Sequence, residues 1–463
     1  PVVAHVLRSQ GFQVESKEYY EPRSVYSVDA LYQQLESFDP SKSVFVDVKN
    51  RDVQRGIAFA YKVFGKKPGA DYLKPLPLWD ESIISNWDGS AGITAYGQTK
   101  KEAFSRGLLS ANRILGNISS ERRKPEPCIA LTRTGKAGKS RLIWGYPMSM
   151  TLIEGTVAKP LLRIFKGGTT PMAFATTNKT LGMKILSASQ SKRYYYSLDA
   201  SQFDSSIQKI MLQTAFRIIR TWYDEKELFD ENNTIGEVIN IIEDYFIHTP
   251  IVMPTGDKKV RGEGVLHFGK KHGVPSGSYF TQLVDSIVNI IVLGTLSSKF
   301  GFYVNENEVF VLGDDLLFFT NTHLDVAKLA SYAKSTFGMN FNKEKSQHGR
   351  TCEPIPFLGR DWVKGLPYRG TTKAIKKMLY PESYRRYNNP HKEGKLVALS
   401  YNLSALQANS LIPRLSGWYS LLDPTEIAEQ AAKLSGFLRF RLRSQARDLL
   451  PYGATNLLGI LNM

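Results

Sequence analysis

Residues 309–319, VFVLGDDLLFF, place two adjacent carboxylates, Asp314 and Asp315, inside a run that is otherwise apolar apart from one glycine. Burying an unpaired carboxylate costs several kcal/mol and two side by side repel each other, so the fold must bring positive charge to them. The run reads as a hairpin: Val309 to Leu312 form one strand, Gly313-Asp314-Asp315 the turn, and Leu316 to Phe319 the next strand. An ordinary acidic turn explains this stretch equally well when it is taken alone.

A second carboxylate pair decides between these readings. In YYYSLDASQFDSSI, residues 194–207, Tyr194 to Leu198 form a strand that delivers Asp199 at its end, and Asp204 follows five residues later. If that strand lies beside the hairpin, Asp199, Asp314 and Asp315 converge. Three carboxylates at one point make an oxygen-donor site for Mg²⁺. Two such ions can activate an attacking hydroxyl and stabilise the leaving oxygen of an in-line displacement.

Between the two pairs lies KHGVPSGSYFTQLVDSIVNIIVLG, residues 271–294. Gly273, Pro275, Ser276 and Gly277 predict a mobile loop. Leu283, Val284, Ile287, Val288 and Ile291 then recur at helical spacing. Thr281, Asp285 and Asn289 fall at i, i+4 and i+8 and form one polar stripe, which lines a cavity or satisfies a core network.

Charge names the class of partner. Sixty Lys and Arg against 43 Asp and Glu leave a formal charge of +17, which suits a polyanion. Part of that excess is clustered. RRKPEPCIALTRTGKAGKSRLIWGYP, residues 122–147, holds Arg133, Lys136, Lys139 and Arg141 around two glycines ahead of an apolar strand. The GKAGKS piece fails as a nucleotide-binding loop, because Arg133 stands where its first glycine is required and a strand follows where a helix is needed. A basic hairpin for triphosphate and backbone phosphates is the reading we adopt; a solvated basic loop is the alternative.

The rest of the chain sets bounds. At 463 residues it divides into two to four subdomains. Two cysteines, Cys128 and Cys352, form no disulfide framework and lie in no metal-ligand spacing. No membrane span is expected, because the longest apolar stretch, Ile287 to Leu296, is about half of what a bilayer requires. PVVAHVLRSQGF has no charged start before a long apolar core, so no signal peptide is expected. Helices are predicted around Lys100–Leu115 and Leu324–Thr336.

In order, Asp199 and Asp204 as D-x4-D, Ser276-Gly277 followed by Thr281 and Asn289, and Gly313-Asp314-Asp315 resemble motifs A, B and C of viral RNA-dependent RNA polymerases. GVPSGSYFTQLVDSIVN and the compact length resemble the enzymes of small double-stranded RNA viruses, the partitivirus and picobirnavirus group. The resemblance implies an α+β right-hand polymerase of fingers, palm and thumb, closed by fingertip contacts, with an antiparallel palm sheet. On that plan residues 1–60 are an N-terminal extension with fingertips, 61–190 the first part of the fingers, 191–206 palm motif A, and 207–265 the second part of the fingers. Residues 266–365 then hold palm motifs B to E, and 366–463 the thumb.

The resemblance also assigns roles. Two Mg²⁺ ions, with Mn²⁺ as a possible substitute, are implied on Asp199 and Asp314 as principal ligands and Asp315 as support. The basic segment looks like motif F, with Lys139 and Arg141 the best matched, Arg133 next, and Lys136 on RNA. DGSAGITAYG, with Ser90 and Gly92, resembles motif G, which steers the template. FNKEKS resembles motif D, whose lysine protonates pyrophosphate; Lys345 is preferred and Lys343 is the rival. Phe357, Leu358, Gly359 and Arg360 resemble the motif E turn on the nascent strand.

One position departs from the pattern. Asp285 stands where many positive-strand RNA virus enzymes carry the asparagine that helps read the ribose 2′-hydroxyl, and Asn289 comes one turn later. Asp204 is then the best ribose reader, with Asp285 orienting Asn289 or Thr281, or else pairing with a finger cation. Lys376, Lys377, Arg385 and Arg386, among Tyr380, Tyr384 and Tyr387, read as a contact to duplex product or as a solvated surface. The implied function is template-directed nucleotidyl transfer for replication and transcription of a viral RNA genome. Its partners would be template and product RNA, NTPs and a viral capsid protein, without a membrane and as a monomer, in the virion interior or host cytoplasm. The alternatives are a reverse transcriptase and a non-catalytic RNA-binding virion protein.

Overall fold

The computed structural model describes residues 4, 7–8, 11–22, 24–116, 124–135, 140–256, 263–342 and 344–380. The expected thumb from residue 381 onward, Lys136, Lys139 and Lys343 lie outside these. The chain forms two compact units: Pro1–Val25, Thr134–Lys139 and Leu358–Met463 make the smaller, and Tyr26–Arg133 and Ser140–Phe357 the larger.

In chain order the elements begin with α1 (Val28–Leu35), α2 (Arg51–Phe64), α3 (Lys100–Leu115), β1 (Cys128–Thr134), β2 (Ser140–Gly145), α4 (Met148–Ile164) and α5 (Asn178–Ser191). Then come β3 (Tyr194–Leu198), β4 (Ala200–Ser201), α6 (Phe203–Ser206), α7 (Lys209–Arg220), α8 (Ile235–His248), β5 (Ile251–Met253) and β6 (Val265–His267). Next are α9 (Thr281–Phe300), β7 (Val309–Leu312), β8 (Asp315–Thr320), α10 (Val326–Phe337), β9 (Asn340–Phe341), β10 (Gln347–Arg350) and β11 (Ile355–Phe357). β12 (Arg360–Val363), β13 (Leu366–Tyr368) and α11 (Thr371–Leu379) complete the described elements.

The larger unit is built on two four-stranded sheets, ordered β2-β1-β5-β6 and β10-β3-β8-β7. The second is antiparallel throughout, as the resemblance led us to expect. Its register matters most. Leu198 of β3 faces Leu316 of β8, and Leu312 of β7 faces Asp315. The turn is therefore the two-residue Gly313-Asp314, and Asp315 is the first residue of β8 rather than the last of the turn. Gly313 sits at φ +64°, the positive φ that tight hairpin turns favour at their first central residue.

Helix α9 runs through the core, with every residue from Leu283 to Leu296 buried. It is long and apolar enough to cross a bilayer by length and composition, more so than the ten-residue run suggested, but 78% of its most apolar window is buried inside the protein. It packs on β7 and on α2. The crossing with α2 has no room for side chains: a Cβ on Gly56 would stand 2.2 Å from the Ile291 carbonyl oxygen, and one on Gly294 2.8 Å from Gly56 Cα. Residues 51–60 thus pack on the helix that follows the Ser276-Gly277 loop.

Helix termini follow their local sequence. Thr99 with Glu102 and Thr234 with Glu237 form reciprocal caps at the starts of α3 and α8. Within α4, Pro160 removes the N–H that would otherwise bind the Thr156 carbonyl, which instead accepts from Leu76 N–H at 2.9 Å.

In the smaller unit β12 and β13 pair antiparallel and α11 follows. Thr372 Oγ1 donates to Glu18 at 2.6 Å, and the rings of Tyr20 and Tyr380 meet edge to face at 6.1 Å.

Candidate active site

Register alone brings the acids together. Asp199 follows Leu198 out of β3, and Leu198 sits opposite Leu316, so Asp199 emerges beside the β7–β8 turn. The backbone around it is held tightly: Asp199 N–H donates to Ser346 Oγ at 3.1 Å, and its carbonyl accepts from Asn342 N–H at 2.7 Å. Lys345 Nζ stands 3.5 Å from Asp199 Oδ1. The lysine favoured by sequence therefore lies against the first carboxylate.

The turn bearing Asp314 is fixed from below by α9. Gly313 N–H donates to Ser286 Oγ at 3.0 Å, and Asn289 Nδ2 donates to the Gly313 carbonyl at 2.8 Å. Both side chains are buried. Asn289, expected near the ribose, thus bonds the turn backbone and does not line the cavity. Ser286, absent from the expected set, makes the second bond.

Asp204 lies on the one-turn helix α6, entered through Gln202 in the left-handed region at φ 52°. Asp285 of α9 is 3% exposed, and its Oδ1 has no hydrogen-bond partner among the described residues. Burial first, then the charges of Asp204 and Asp314, hold its carboxyl well above the usual range. Burial and then Asp314 push Asp204 up to about 6, against the pull of Arg141. The Asp314 and Asp315 side chains open to the cavity but are flanked by protein. That enclosure raises both, helped by the charge of Asp199, and takes Asp315 to about 6.

Asp204, Asp285, Asp314 and Asp315 line a cavity of about 560 Å³ with Arg133, Arg141, Ser276 and Thr281, and Asp199 lies outside its lining. Ser276 Oγ donates to the Leu142 carbonyl at 3.3 Å, and Thr281 Oγ1 to the Pro275 carbonyl at 2.8 Å. Gly277 lies beneath the rim, where a Cβ would be 1.7 Å from the Trp144 carbonyl oxygen, so the loop rests on the β2 backbone.

Glu154 on α4 was not expected at the site. Fully buried, it accepts from Ser278 Oγ at 2.8 Å and from Tyr279 N–H at 3.1 Å, and burial pushes its carboxyl up to about 7. Its only sequence signal is a lone acid in the apolar run MSMTLIEGTVA. Lys159 of the same helix also lines the cavity and was likewise missed.

The structure does not bring every expected residue to the cavity. Ser90 instead bridges to Thr99, and Gly92 lies on the start of α4: Met148 N–H donates to the Ala91 carbonyl at 3.0 Å, and a Cβ on Gly92 would meet Pro147 Cα at 2.6 Å. Phe357 ends β11 in the larger unit, whereas Leu358, Gly359 and Arg360 belong to the smaller. Leu358 and Gly359 both have positive φ, consistent with a tight turn.

Among the described residues no three His, Cys, Asp or Glu side chains converge closely enough to hold an ion as they stand. The donor chemistry nonetheless fits Mg²⁺. Asp199, Asp314 and Asp315 are hard oxygen donors, and burial followed by mutual repulsion raises the latter two, a cost that a divalent cation relieves.

An antiparallel sheet that presents one acid at a strand end and two in the adjoining hairpin, packed on α9, is compatible with a right-hand polymerase fold. Solved structures agree on the fold: a human picobirnavirus RNA-dependent RNA polymerase superposes with TM-score 0.66 at 15% identity, covering 99% of this chain and 89% of that one. Its insertion-loop deletion mutant gives 0.65 at 16%, covering 100% and 88%.

The family model described as viral RNA-dependent RNA polymerase matches residues 22–420, and the chain belongs to that family. It is 29% identical over 213 residues to the RNA-directed RNA polymerase of Cryptosporidium parvum virus 1, covering 44% of this chain and 37% of the relative. The corresponding protein of Atkinsonella hypoxylon virus is 36% identical over 133 residues, covering 27% and 20%, and that of White clover cryptic virus 1 is 25% identical over 267, covering 52% and 42%. The chain spans less than half the length of each of these three relatives.

Proposed function

We propose that the chain is an RNA-directed RNA polymerase that transfers nucleotides from NTPs to an RNA 3′-hydroxyl, replicating and transcribing a viral RNA genome. The observation that carries this reading is the β3–β8 register, which sets Asp199 at a strand end beside the hairpin of Asp314 and Asp315. Asp199, Asp314 and Asp315 would hold two Mg²⁺ ions, or Mn²⁺ in their place, which when bound activate the hydroxyl and stabilise the leaving oxygen.

The protein's own residues do the remaining work. Arg133 and Arg141 on the cavity wall bind the triphosphate, and Lys345 delivers a proton to pyrophosphate. Asp204 accepts from the ribose 2′-hydroxyl. Asp285, its carboxyl held well above the usual range by burial and then by the charges of Asp204 and Asp314, faces the same cavity. Asn289 and Ser286 hold the turn that aims Asp314. Template and product RNA are the partners in this reading, with a capsid protein and the virion interior or host cytoplasm as its setting.

The test is incorporation of labelled ribonucleotides on a single-stranded RNA template with Mg²⁺, run beside Asp314→Asn and with deoxyribonucleotides in parallel. Ribonucleotide-specific synthesis that falls by several orders of magnitude in the variant is expected. Synthesis unchanged by the substitution, or RNA binding without synthesis under any template and ion, would overturn the proposal in favour of a binding protein.

A further inference from the structure

Among the described residues, three partly buried or buried cations are answered by carboxylates or backbone carbonyls. Lys192 Nζ lies 2.9 Å from Glu308, Arg220 2.8 Å from Glu243, and the buried Lys270 ammonium donates to the Phe246 and Ile247 carbonyls at 2.7 and 2.9 Å. Lys159 has neither a carboxylate nor a carbonyl bonded to it among the described residues. Its Nζ bonds the Ser85 hydroxyl and sits 4.3 Å from the centroid of the Tyr279 ring, and no carboxylate of the described residues is within ion-pair distance.

Its neighbours make the imbalance worse. Arg163 lies one helical turn further along α4, near enough to act on Lys159 through its charge, and Lys100 acts on it from α3. Burial and these two cations push the ammonium down to about 8. Arg163 Nη2 is 3.5 Å from Ser82 Oγ, and its charge reaches Asp80 without an ion-pair contact. A half-buried positive charge without a counter-charge is costly, and it persists where an anion supplies the missing partner.

The position identifies the anion. Lys159 lines the cavity that holds Asp204, Asp314 and Asp315, on α4 rather than on the β1–β2 arm that carries Arg133 and Arg141. Lys159 and Arg163 are separated by about 6 Å of helix rise and share one face, a row suited to a chain of phosphates rather than to a single group. Tyr279, with its hydroxyl tied to the Ile83 carbonyl at 2.7 Å, gives that row a fixed aromatic edge. We propose that Lys159 and Arg163, braced by Tyr279, Ser82 and Ser85, bind the phosphates of an RNA strand entering the catalytic cavity. This rests on the polymerase reading, since it supplies that reaction's RNA with a contact surface.

The experiment titrates the full chain with a 5′-labelled single-stranded RNA by fluorescence anisotropy across a KCl series, comparing the native protein with Lys159→Met, Lys159→Arg and Arg163→Met. The methionine variants should bind about tenfold more weakly, and each should lower the log–log salt slope by about 0.7, the value for one single-strand phosphate contact. Between pH 7 and pH 9 the native affinity should fall by up to about tenfold as Lys159 loses its proton, and Lys159→Arg should hold its affinity.

Unchanged salt slopes in both methionine variants overturn the inference. So does a raised KM for NTPs with RNA affinity intact, which would assign the cations to the triphosphate. Arg163 is exposed, so its variant reports even if Lys159→Met fails to fold. Native protein that binds RNA but makes none would sink the polymerase reading and leave the affinity comparison readable. Native synthesis with unaltered RNA binding by the variants would sink this inference alone.

Discussion

Asn289→Ala removes the bond from Asn289 Nδ2 to the Gly313 carbonyl, 2.8 Å long and shielded from water. The stranded carbonyl is the dominant loss, and an unsatisfied buried acceptor costs about 1–3 kcal/mol. The same turn retains the Ser286 anchor at its N–H, so Asn289→Ala should loosen Asp314 without unfolding the sheet. A displacement of about 1 Å in a reacting group is enough to lower rate about a hundredfold. Denaturant unfolding should therefore show a loss of about 2 kcal/mol, and single-turnover incorporation at saturating Mg²⁺ a large fall in rate with ribose discrimination intact. Asn289→Asp should be worse, because it sets a carboxylate oxygen against the carbonyl. If Asn289→Ala keeps stability and rate but accepts deoxyribonucleotides, the turn-holding argument is wrong and Asn289 reads the sugar.

Gly277→Ala should abolish synthesis and lower thermal stability, because its Cβ would collide with the Trp144 carbonyl oxygen at 1.7 Å, a backbone atom that cannot swing aside; melting and incorporation assays together check this. Metal-free protein should lose stability as pH rises through about 6, since Asp204 and Asp315 have folded pKa values raised above the unfolded carboxylate value, so their stability contribution is present only at lower pH. Added Mg²⁺ should then raise the melting temperature more at pH 7.5 than at pH 5, and equal shifts would count against a carboxylate metal site. Glu154, raised from 4.5 to about 7, should withdraw up to about 3 kcal/mol as pH climbs from 4.5 through 7, and Glu154→Gln should flatten that part of the stability profile.

The proposed catalytic acids were legible because carboxylates are out of place at the ends of apolar strands; the register that pairs them was not, since β3 and β8 bury residues on both faces and alternation then selects none. The hairpin was displaced by only one residue, since pattern alone does not tell a three-residue turn from a two-residue turn opening on Gly313. The polar stripe of α9 was correct as geometry and ambiguous as chemistry. Periodicity gives a face, but it does not say that Asn289 turns toward the Gly313 carbonyl while Asp285 turns into the cavity.

Glu154 applies the same logic as Asp314, a single acid in an apolar run, yet helix α4 offered no neighbouring motif to give it meaning. Lys159 gave less signal still. Its importance comes from α3, the residues around Ser85 and the Ser276 loop meeting in space.

The backbone contact between Gly56 and Gly294 ties the start of the chain to its middle across more than two hundred residues of sequence. At ribosomal speeds of about 5–20 residues per second, α2 emerges on the order of ten to fifty seconds before the helix that covers it. Through that interval Val53, Ala60, Val63 and Phe64 have no α9 to pack against. The nascent segment bearing α2 consequently keeps an apolar face uncovered through that interval, and the cavity bounded by α9 and the β7–β8 turn forms only once both have been made.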